Sequence, residues 1–331
     1  MEVKQERVST RLSLLFFILF LLPFFSLQCA ASLPKKGFPR TGTYKKKLDI
    51  QVMGSRRYYL LHIPKGLDFR EGAPLVLVLH GAFSTPKEIE ERSGFSELAD
   101  REGFLVAYPS GAYGIFGFLK HWNAGHCCGK AASDDIDDVG FLIDVIHDIS
   151  DSFKVDKKRI YMAGFSNGGM LTYRFAAEQT PMLAAAAPVA AAMGGKASSD
   201  EPLWVIPKPA RPLPMIIFHA RDDLAVPYKG GASPRRGGDR EYLSVDEAVN
   251  FWVKNNGCRE EPVVDRLRDG RVTRKTWPDT HGKNDVILYT MEDWGHKWPG
   301  RYFSTQLEKE DPFRDFDAAE HVWDFFKRHT N

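Results

Sequence analysis

The stretch RIYMAGFSNGGM, residues 159–170, joins an apolar strand pattern to the start of a helical one. The motif at the junction is G-x-S-x-G, with Ser166 between Gly164 and Gly168. A sharp strand-to-helix turn forces its middle residue to a positive φ, and side chains two positions to either side would collide. The stretch therefore predicts a tight turn that presents the Ser166 hydroxyl at the end of a buried strand.

Similar apolar runs occur on both sides of this stretch. PLVLVLHG, GFLVAYPSG, PMIIFHA and DVILYTM read as buried strands, and helical patterns such as DDVGFLIDVIHDISDSF and SVDEAVNFWVKNNG lie between strands. The second helix is expected to start at Ser244 with a capping box to Glu247 and to end at Gly257. Strands that alternate with helices predict βαβ units and a mostly parallel sheet flanked by helices.

A triad follows from the order of three residues along the chain. A serine hydroxyl becomes a good nucleophile only when a base removes its proton and an acid orients that base. In α/β-hydrolases these groups follow in the order serine, acid, histidine, on loops at the carboxyl ends of the strands. Ser166, Asp223 and His296 stand in that order and context. His219 is the rival base, although its place at a strand end is equally typical of a structural histidine.

The same frame predicts backbone donors for a tetrahedral oxyanion. One donor is expected at Asn167, the residue after the nucleophile. The second is expected from the loop LHGAFST after the first buried strand, at Ala82 or Phe83. The alternative for His80-Gly81 is an ordinary tight turn.

Composition excludes several function classes. The formal net charge is +2, from 45 Lys+Arg against 43 Asp+Glu, so the chain has no excess of basic residues with which to bind nucleic acid.

Residues 1–31 have the basic start, the apolar run and the small residues of a signal peptide, and an uncleaved anchor is the alternative. The mature chain is expected to be exported, without a membrane span. Residues 40–331 are expected to form a single domain without a sizeable cap, because the Pro-rich segment 198–214 is too short for one.

Cysteine and acid clusters suggest little metal chemistry. Cys127, Cys128 and Cys258 remain after the signal peptide, and we expect Cys258 to pair with one of the neighbours, leaving a free thiol. A bond between the neighbours and three reduced thiols are the alternatives. The acids at 134–138 are typical of a helix start, with calcium as the less favoured interpretation. No metal or cofactor is expected.

Seven ordered motifs together carry a family resemblance. LHGAFS, ADREGFLVAYP, HWNAGHCCG, DDVGFL, GFSNGGM, HARDDLAVPY and WGHKWPG, from about Leu75 to Gly300, resemble the secreted polyhydroxybutyrate depolymerase and feruloyl esterase-like family of α/β-hydrolases. The resemblance implies a serine carboxylesterase acting on polyester, feruloyl or acetyl esters, with its triad on Ser166, Asp223 and His296. The chain departs from the family at His219-Ala220-Arg221, and it lacks the paired cysteines of tannase-type feruloyl esterases.

Two tryptophans near these motifs are candidate substrate contacts. Trp122 and Trp298 lie in HWNAGHCCG and WGHKWPG, where an exposed indole would stack on an aromatic or sugar group. The alternative is that each ring packs its own loop. Two other functions remain open: a serine exopeptidase of the same fold, and an inactive binding protein.

Overall fold

The structure is a computed structural model that describes residues 41–52, 54–113, 120–236, 239–300, 302 and 306–331. The predicted signal peptide, residues 1–31, lies outside the described residues. From residue 41 onward the described chain belongs to one compact unit. The domain start at residue 40 and the single-domain organisation stay predictions.

Sixteen strands occur in the described residues. In chain order they are β1 (Gly42–Val52), β2 (Ser55–Ile63), β3 (Ala73–Leu79), β4 (Leu105–Pro109), β5 (Ala112–Tyr113), β6 (Lys120–His121), β7 (Val155–Phe165), β8 (Ala185–Val189), β9 (Gly194–Lys196), β10 (Trp204–Val205), β11 (Met215–Ala220), β12 (Gly231–Ala232), β13 (Glu241–Tyr242), β14 (Val263–Leu267), β15 (Val272–Trp277) and β16 (Val286–Met291).

Seven α-helices and two short 3-10 turns complete the described elements. The helices are α1 (Pro86–Ser93), α2 (Phe95–Glu102), α3 (Gly129–Ser133), α4 (Asp138–Ser152), α5 (Asn167–Glu178), α6 (Val245–Asn256) and α7 (Ala318–Phe326). The 3-10 turns are Thr180–Met182 and Pro234–Arg236. None of the helices within the described ranges is long and apolar enough to cross a membrane.

Ten of the described strands form the main sheet, in the order β1-β2-β4-β3-β7-β8-β11-β16-β15-β14. The six strands from β4 to β16 pair in parallel, and all of them apart from the first half of β7 are buried. Antiparallel strands flank them on both sides, and β1 and β2 form a hairpin. The chain therefore has the mostly parallel, helix-flanked sheet of the α/β-hydrolase fold.

Helices cover both faces of this sheet. Side chains from α4, α5 and α6 pack into the core on one face, and side chains from α1, α2 and α7 pack into the core on the other. The predicted capping box of α6 is present, since Ser244 and Glu247 bond each other's backbone N–H groups, and Gly257 ends the helix at a positive φ. This layering buries the parallel strands and leaves their ends free for function.

A small second sheet is formed by short strands between residues 194 and 242. Its described strands run in the order β10-β9-β13-β12, each two or three residues long. The Pro-rich segment 198–214 contributes β10 through Trp204 and Val205. It therefore takes part in a small sheet, but it does not build a sizeable cap.

Candidate active site

The carboxyl ends of four parallel strands bring the candidate residues to one edge of the sheet. Ala82 follows β3, Ser166 follows β7, Asp223 follows β11 and His296 follows β16. These strands belong to one continuous parallel run, so their carboxyl ends share an edge. Residues far apart in the sequence are thereby neighbours in space.

The serine stands on a tight turn between β7 and α5. Ser166 has φ 53° and ψ −119°, and its N–H donates to the carbonyl of Val189 at 2.9 Å. A Cβ on Gly164 would lie 2.3 Å from the Gly168 oxygen, and a Cβ on Gly168 would lie 2.4 Å from the His80 oxygen. Only glycine fits at either position, which confirms the steric prediction made from the motif.

A continuous hydrogen-bond chain joins three side chains at this turn. Nε2 of His296 lies 2.9 Å from Oγ of Ser166, and Nδ1 of the same ring lies 2.7 Å from Oδ2 of Asp223. The other carboxylate oxygen of Asp223 accepts the N–H groups of Ala225 and Val226 at 2.8 and 2.9 Å. The structure therefore brings together the three residues that the sequence selected.

The charge state of Asp223 suits an acid that orients a histidine. Burial by itself raises the pKa of this carboxyl, but the hydrogen bond and charge of His296, with further contributions from His219 and the Val226 N–H, outweigh it and lower the pKa below its usual value. The carboxylate is therefore ionised and holds the Nδ1 proton of His296. That leaves Nε2 free to accept a proton from Ser166.

His219, the rival base, packs behind the acid. It is buried, its Nε2 donates to the Val226 carbonyl at 2.8 Å, and the same atom lies 3.5 Å from Asp223 Oδ2. Burial lowers the pKa of His219 despite the nearby carboxylate. Its contacts make it a support for the acid loop, whereas the imidazole bonded to Ser166 is that of His296.

Asp222 has a role that sequence reasoning missed. The side chain is exposed to solvent, and its Oδ1 also accepts the N–H groups of Trp294 and Gly295, at 3.1 and 2.9 Å. Because β11 and β16 are adjacent, the loop after one reaches the loop after the other, and no local pattern announces that contact.

The expected oxyanion donors separate into available and occupied amides. The N–H of Asn167 lies in the first turn of α5, where no intrahelical acceptor exists. Ala82 follows Gly81, and a Cβ added to Gly81 would lie 3.4 Å from Cβ of Ser166, so the loop of Ala82 runs beside the serine. The N–H of Phe83, by contrast, donates to the Lys120 carbonyl at 2.9 Å. Phe83 is therefore wrong as a donor, because its amide is already bonded, and Ala82 and Asn167 remain.

Phe83 instead presents its side chain to the solvent. The residue is 48% exposed, its φ is 61°, and its ring meets the ring of His121 edge-on at 4.6 Å. It borders a cavity of about 350 Å³ that the proposed donor residue Ala82 also lines, together with His121, Cys128, Gly129, Ala197, Ser198, Asp239 and Arg240. An exposed aromatic side chain at this place is a candidate substrate contact that sequence reasoning missed.

The two tryptophans expected to bind substrate are buried. Trp122 is 0% exposed and its indole N–H donates to the His80 carbonyl at 2.8 Å. Trp298 is 1% exposed and packs edge-on against Phe95 at 6.1 Å. The expectation of exposed indoles is wrong for both residues, because each loop turns its apolar ring into the protein.

The structure also shows how the cysteines pair and what the acids at 134–138 bind. The structure joins the sulfur atoms of Cys127 and Cys128 and leaves Cys258 as a free thiol, so the predicted pairing of Cys258 is wrong. Burial raises the pKa of Cys258 to about 12. In the acid cluster, Asp137 caps α4 through the Gly140 N–H, and Asp138 forms a buried ion pair with Arg57 at 2.7 Å.

The chain resembles known esterases in sequence. A family model described as "Esterase PHB depolymerase" matches residues 57–232. Feruloyl esterase B of Piromyces equi is 33% identical over 213 residues, which cover 62% of this chain and 37% of that protein. Putative esterase NocK of Nocardia uniformis subsp. tsuyamanensis is 30% identical over 268 residues, which cover 77% of this chain and 74% of that protein. The chain thus spans well under half of the first relative and about three quarters of the second.

A solved structure supports the fold independently. An acetyl xylan esterase from Aspergillus awamori superposes with a TM-score of 0.54 at 15% identity, covering 77% of this chain and 94% of that one. At that identity the likeness shows the fold alone. The family match and the likeness to NocK show that the chain belongs to the esterase PHB depolymerase family, a group of carboxylic ester hydrolases with the α/β-hydrolase fold.

Proposed function

We propose that the protein hydrolyses carboxylic esters through an acyl-enzyme formed on Ser166. The observation that carries the proposal is the unbroken chain from Ser166 Oγ through His296 to Asp223, with distances of 2.9 and 2.7 Å. A serine, a base within hydrogen-bond reach and a buried acid behind the base are the parts that nucleophilic acyl transfer needs. Family membership independently favours ester chemistry.

Acylation begins when Ser166 Oγ attacks the ester carbonyl carbon and its proton passes to Nε2 of His296. The carbonyl oxygen becomes an oxyanion, which the N–H groups of Asn167 and Ala82 stabilise. Collapse of this intermediate breaks the bond to the alcohol oxygen, and His296 returns the proton to that oxygen as the alcohol leaves. Asp223 stabilises the imidazolium that exists between these two proton transfers.

Deacylation repeats the same steps with water as the nucleophile. His296 removes a proton from the water, the hydroxide attacks the acyl carbon, and the same two N–H groups receive the oxyanion. Ser166 Oγ then leaves, takes the proton back from His296 and is restored. The products are the carboxylic acid and the alcohol, so no cofactor is consumed.

The proposed substrates are esters of feruloyl, acetyl or hydroxyalkanoyl groups. Proteins similar to the chain are named feruloyl esterase, acetylxylan esterase and poly(3-hydroxyalkanoate) depolymerase. The exposed ring of Phe83 at the neighbouring cavity supports a substrate with a flat apolar part next to the ester. Polar groups at the same cavity, from Asp239 and Arg240, suit hydroxyl-bearing alcohols such as sugars.

One substitution and a substrate panel test this proposal. Ser166→Ala should abolish turnover and labelling by a fluorophosphonate probe, because both require the Oγ atom, and it should leave the fold intact. Ser150→Ala, on α4 away from the sheet edge, is the matched control and should keep full activity. Suitable substrates are p-nitrophenyl acetate and butyrate, methyl ferulate, acetylated xylan and hydroxybutyrate oligomers. Near wild-type turnover by Ser166→Ala would refute the assignment.

The same assay separates the two alternative functions. A serine exopeptidase would cleave aminoacyl-arylamides in preference to the esters. An inactive binding protein would neither turn over any substrate nor react with the fluorophosphonate.

Export is the remaining part of the proposal, and it rests on residues 1–31 alone. The basic start, the apolar run and the small residues before Ser32 support cleavage after Ala31. Expression of the full chain followed by mass determination of the protein outside the cell should give an N-terminus at Ser32. An intact N-terminus in the membrane fraction would support the anchor instead.

A further inference from the structure

The two proposed oxyanion donors lie on different loops. The Asn167 N–H begins α5 after β7, and the Ala82 N–H follows β3. Both must point at one oxygen atom, and such donors act only within a few tenths of an ångström of the productive position. A contact that ties the two loops together therefore bears directly on the rate.

The first contact of this kind is made by the side chain of Asn167. Its Oδ1 accepts the backbone N–H of Trp122 at 2.8 Å, and its Nδ2 donates to the backbone carbonyl of Trp122 at 3.0 Å. Both residues are buried, so no water competes for these bonds. The residue that carries one donor is thus fastened to Trp122 by two hydrogen bonds.

The second contact runs from Trp122 to the other loop. Its indole N–H donates to the carbonyl of His80 at 2.8 Å, and the two rings lie 5.0 Å apart. The same carbonyl packs against Gly168, where an added Cβ would meet it at 2.4 Å. The indole therefore fixes the strand end at which the loop of Ala82 begins.

The third contact sets the direction of the Ala82 N–H. Nε2 of His80 accepts the Gly111 N–H at 3.0 Å, so the ring proton is on Nδ1, which donates to the Gly81 carbonyl at 2.7 Å. Burial lowers the pKa of His80 to about 3, so the ring keeps this neutral form. The Gly81 carbonyl and the Ala82 N–H share one trans peptide and point in opposite directions. Holding the carbonyl against His80 therefore turns the N–H away from it.

We propose that Trp122 is a positioning residue for the oxyanion site, bracing the Asn167 donor and the Ala82 donor through its backbone and its indole N–H. The inference rests on the proposed function, since it assumes that both amides receive the oxyanion. The brace consists of four hydrogen bonds, three to or from Trp122 and one within the His80-Gly81 segment. It explains why an aromatic residue beside the active site is wholly buried.

Trp122→Phe tests the brace because it keeps an aromatic ring and removes the indole N–H. The expected result is a fall in kcat of about 10- to 100-fold, less than the loss of a whole donor, with KM within about threefold. Affinity for a boronic acid, which forms a tetrahedral adduct on the serine, should fall by the same factor as kcat/KM. The matched control is Trp277→Phe, since Trp277 is 8% exposed and its indole also donates to a backbone carbonyl, that of Glu260 at 3.2 Å. It should lose thermal stability while kcat stays within about twofold.

The outcomes distinguish the brace from the proposed function. Wild-type kcat and boronate affinity in Trp122→Phe would overturn the brace, as would equal losses of kcat in both tryptophan variants. If the wild-type protein hydrolyses no ester and resists a fluorophosphonate, the proposed function itself fails. Should Trp122→Phe not fold, Asn167→Ala keeps the backbone donor and removes the brace from its other end. It should lower kcat at least tenfold, and an unchanged kcat would overturn the inference.

Discussion

Two adjacent carboxylates at the site have different partners. Asp223 lies inside and bonds the imidazole of His296, whereas the exposed Asp222 bonds the backbone N–H groups of Trp294 and Gly295. Consecutive side chains point in different directions, so only one of the pair reaches the ring. The other fastens the loop that carries the histidine, which makes both acids relevant to the position of His296 by separate routes.

We expect Asp223→Asn to lose several orders of magnitude in kcat, because an amide favours the wrong histidine tautomer; the same change costs about 10⁴ in a serine protease. Asp222→Asn should lose less than about tenfold, because its amide oxygen still accepts both N–H groups. Asp222 is thus the matched control for the substitution itself. Both variants should be measured on one soluble ester, and the reverse ranking would assign the acid role to Asp222.

Single residues were predictable from sequence where a motif constrains chemistry and order. The sequence selected Ser166, Asp223 and His296 because each had to satisfy three conditions at once: a place after a strand, the right order along the chain and the right residue type. The structure shows the three side chains hydrogen-bonded to one another. Trp122 and Trp298 were misassigned, since closeness to a motif does not say which way a side chain turns. Burial of a ring in its own loop depends on neighbours contributed by other strands, which a local pattern does not contain.

At the scale of elements, the strands that read clearly were the apolar ones. β3, β4, β7, β11 and β16 were predicted because helices cover both their faces, which selects unbroken runs of large aliphatic residues. β8 was missed because its sequence AAAPV has a low strand propensity. The end of β8 lies close to the start of α5, since a Cβ on Gly169 would lie 3.1 Å from the Val189 oxygen and 2.7 Å from Cβ of Ala191, just after the strand. Val189 at its end receives the Ser166 N–H.

Short elements escaped prediction for a different reason. The strands of the small sheet, β9, β10, β12 and β13, are two or three residues long, so no periodicity can develop in them. They form because the tertiary fold brings Gly195 next to Tyr242 and Trp204, which are distant from it in the sequence. The small sheet is therefore a product of tertiary structure.

Across the whole molecule, the pairing of the cysteines follows from their places at opposite ends of the parallel strands. Sγ of Cys127 lies 3.9 Å from Nδ2 of Asn167, at the carboxyl ends of the parallel strands. Sγ of Cys258 donates to the carbonyl of Asn284, two residues before the start of β16, and so lies near the amino ends of the parallel strands. A sequence shows only how many cysteines exist, whereas their pairing depends on which edge each one reaches.

The folded chain also buries several histidines in their neutral form. Burial lowers the pKa of His80 and of His126 to about 3 and that of His329 to about 4, with nearby cations adding to the effect. In the unfolded chain each ring would take up a proton near its ordinary pKa of about 6.5. Between about pH 6.5 and the folded pKa, the unfolded state therefore binds more protons, so stability rises with pH and falls on acidification.

We expect this acid sensitivity to shrink when one buried histidine is replaced by a ring that cannot be protonated. His126 is 2% exposed and stacks on Trp204 at 5.6 Å, and His126→Phe keeps that stacking. Each such histidine contributes a slope of at most about 1.4 kcal/mol per pH unit, so the loss of stability between pH 7 and pH 5 should be smaller by about 2 kcal/mol in His126→Phe. Urea unfolding at both pH values measures this difference, with His147→Gln at an exposed position of α4 as the control for substitution. An unchanged pH dependence in His126→Phe would mean that His126 is protonated in the folded chain as readily as in the unfolded one.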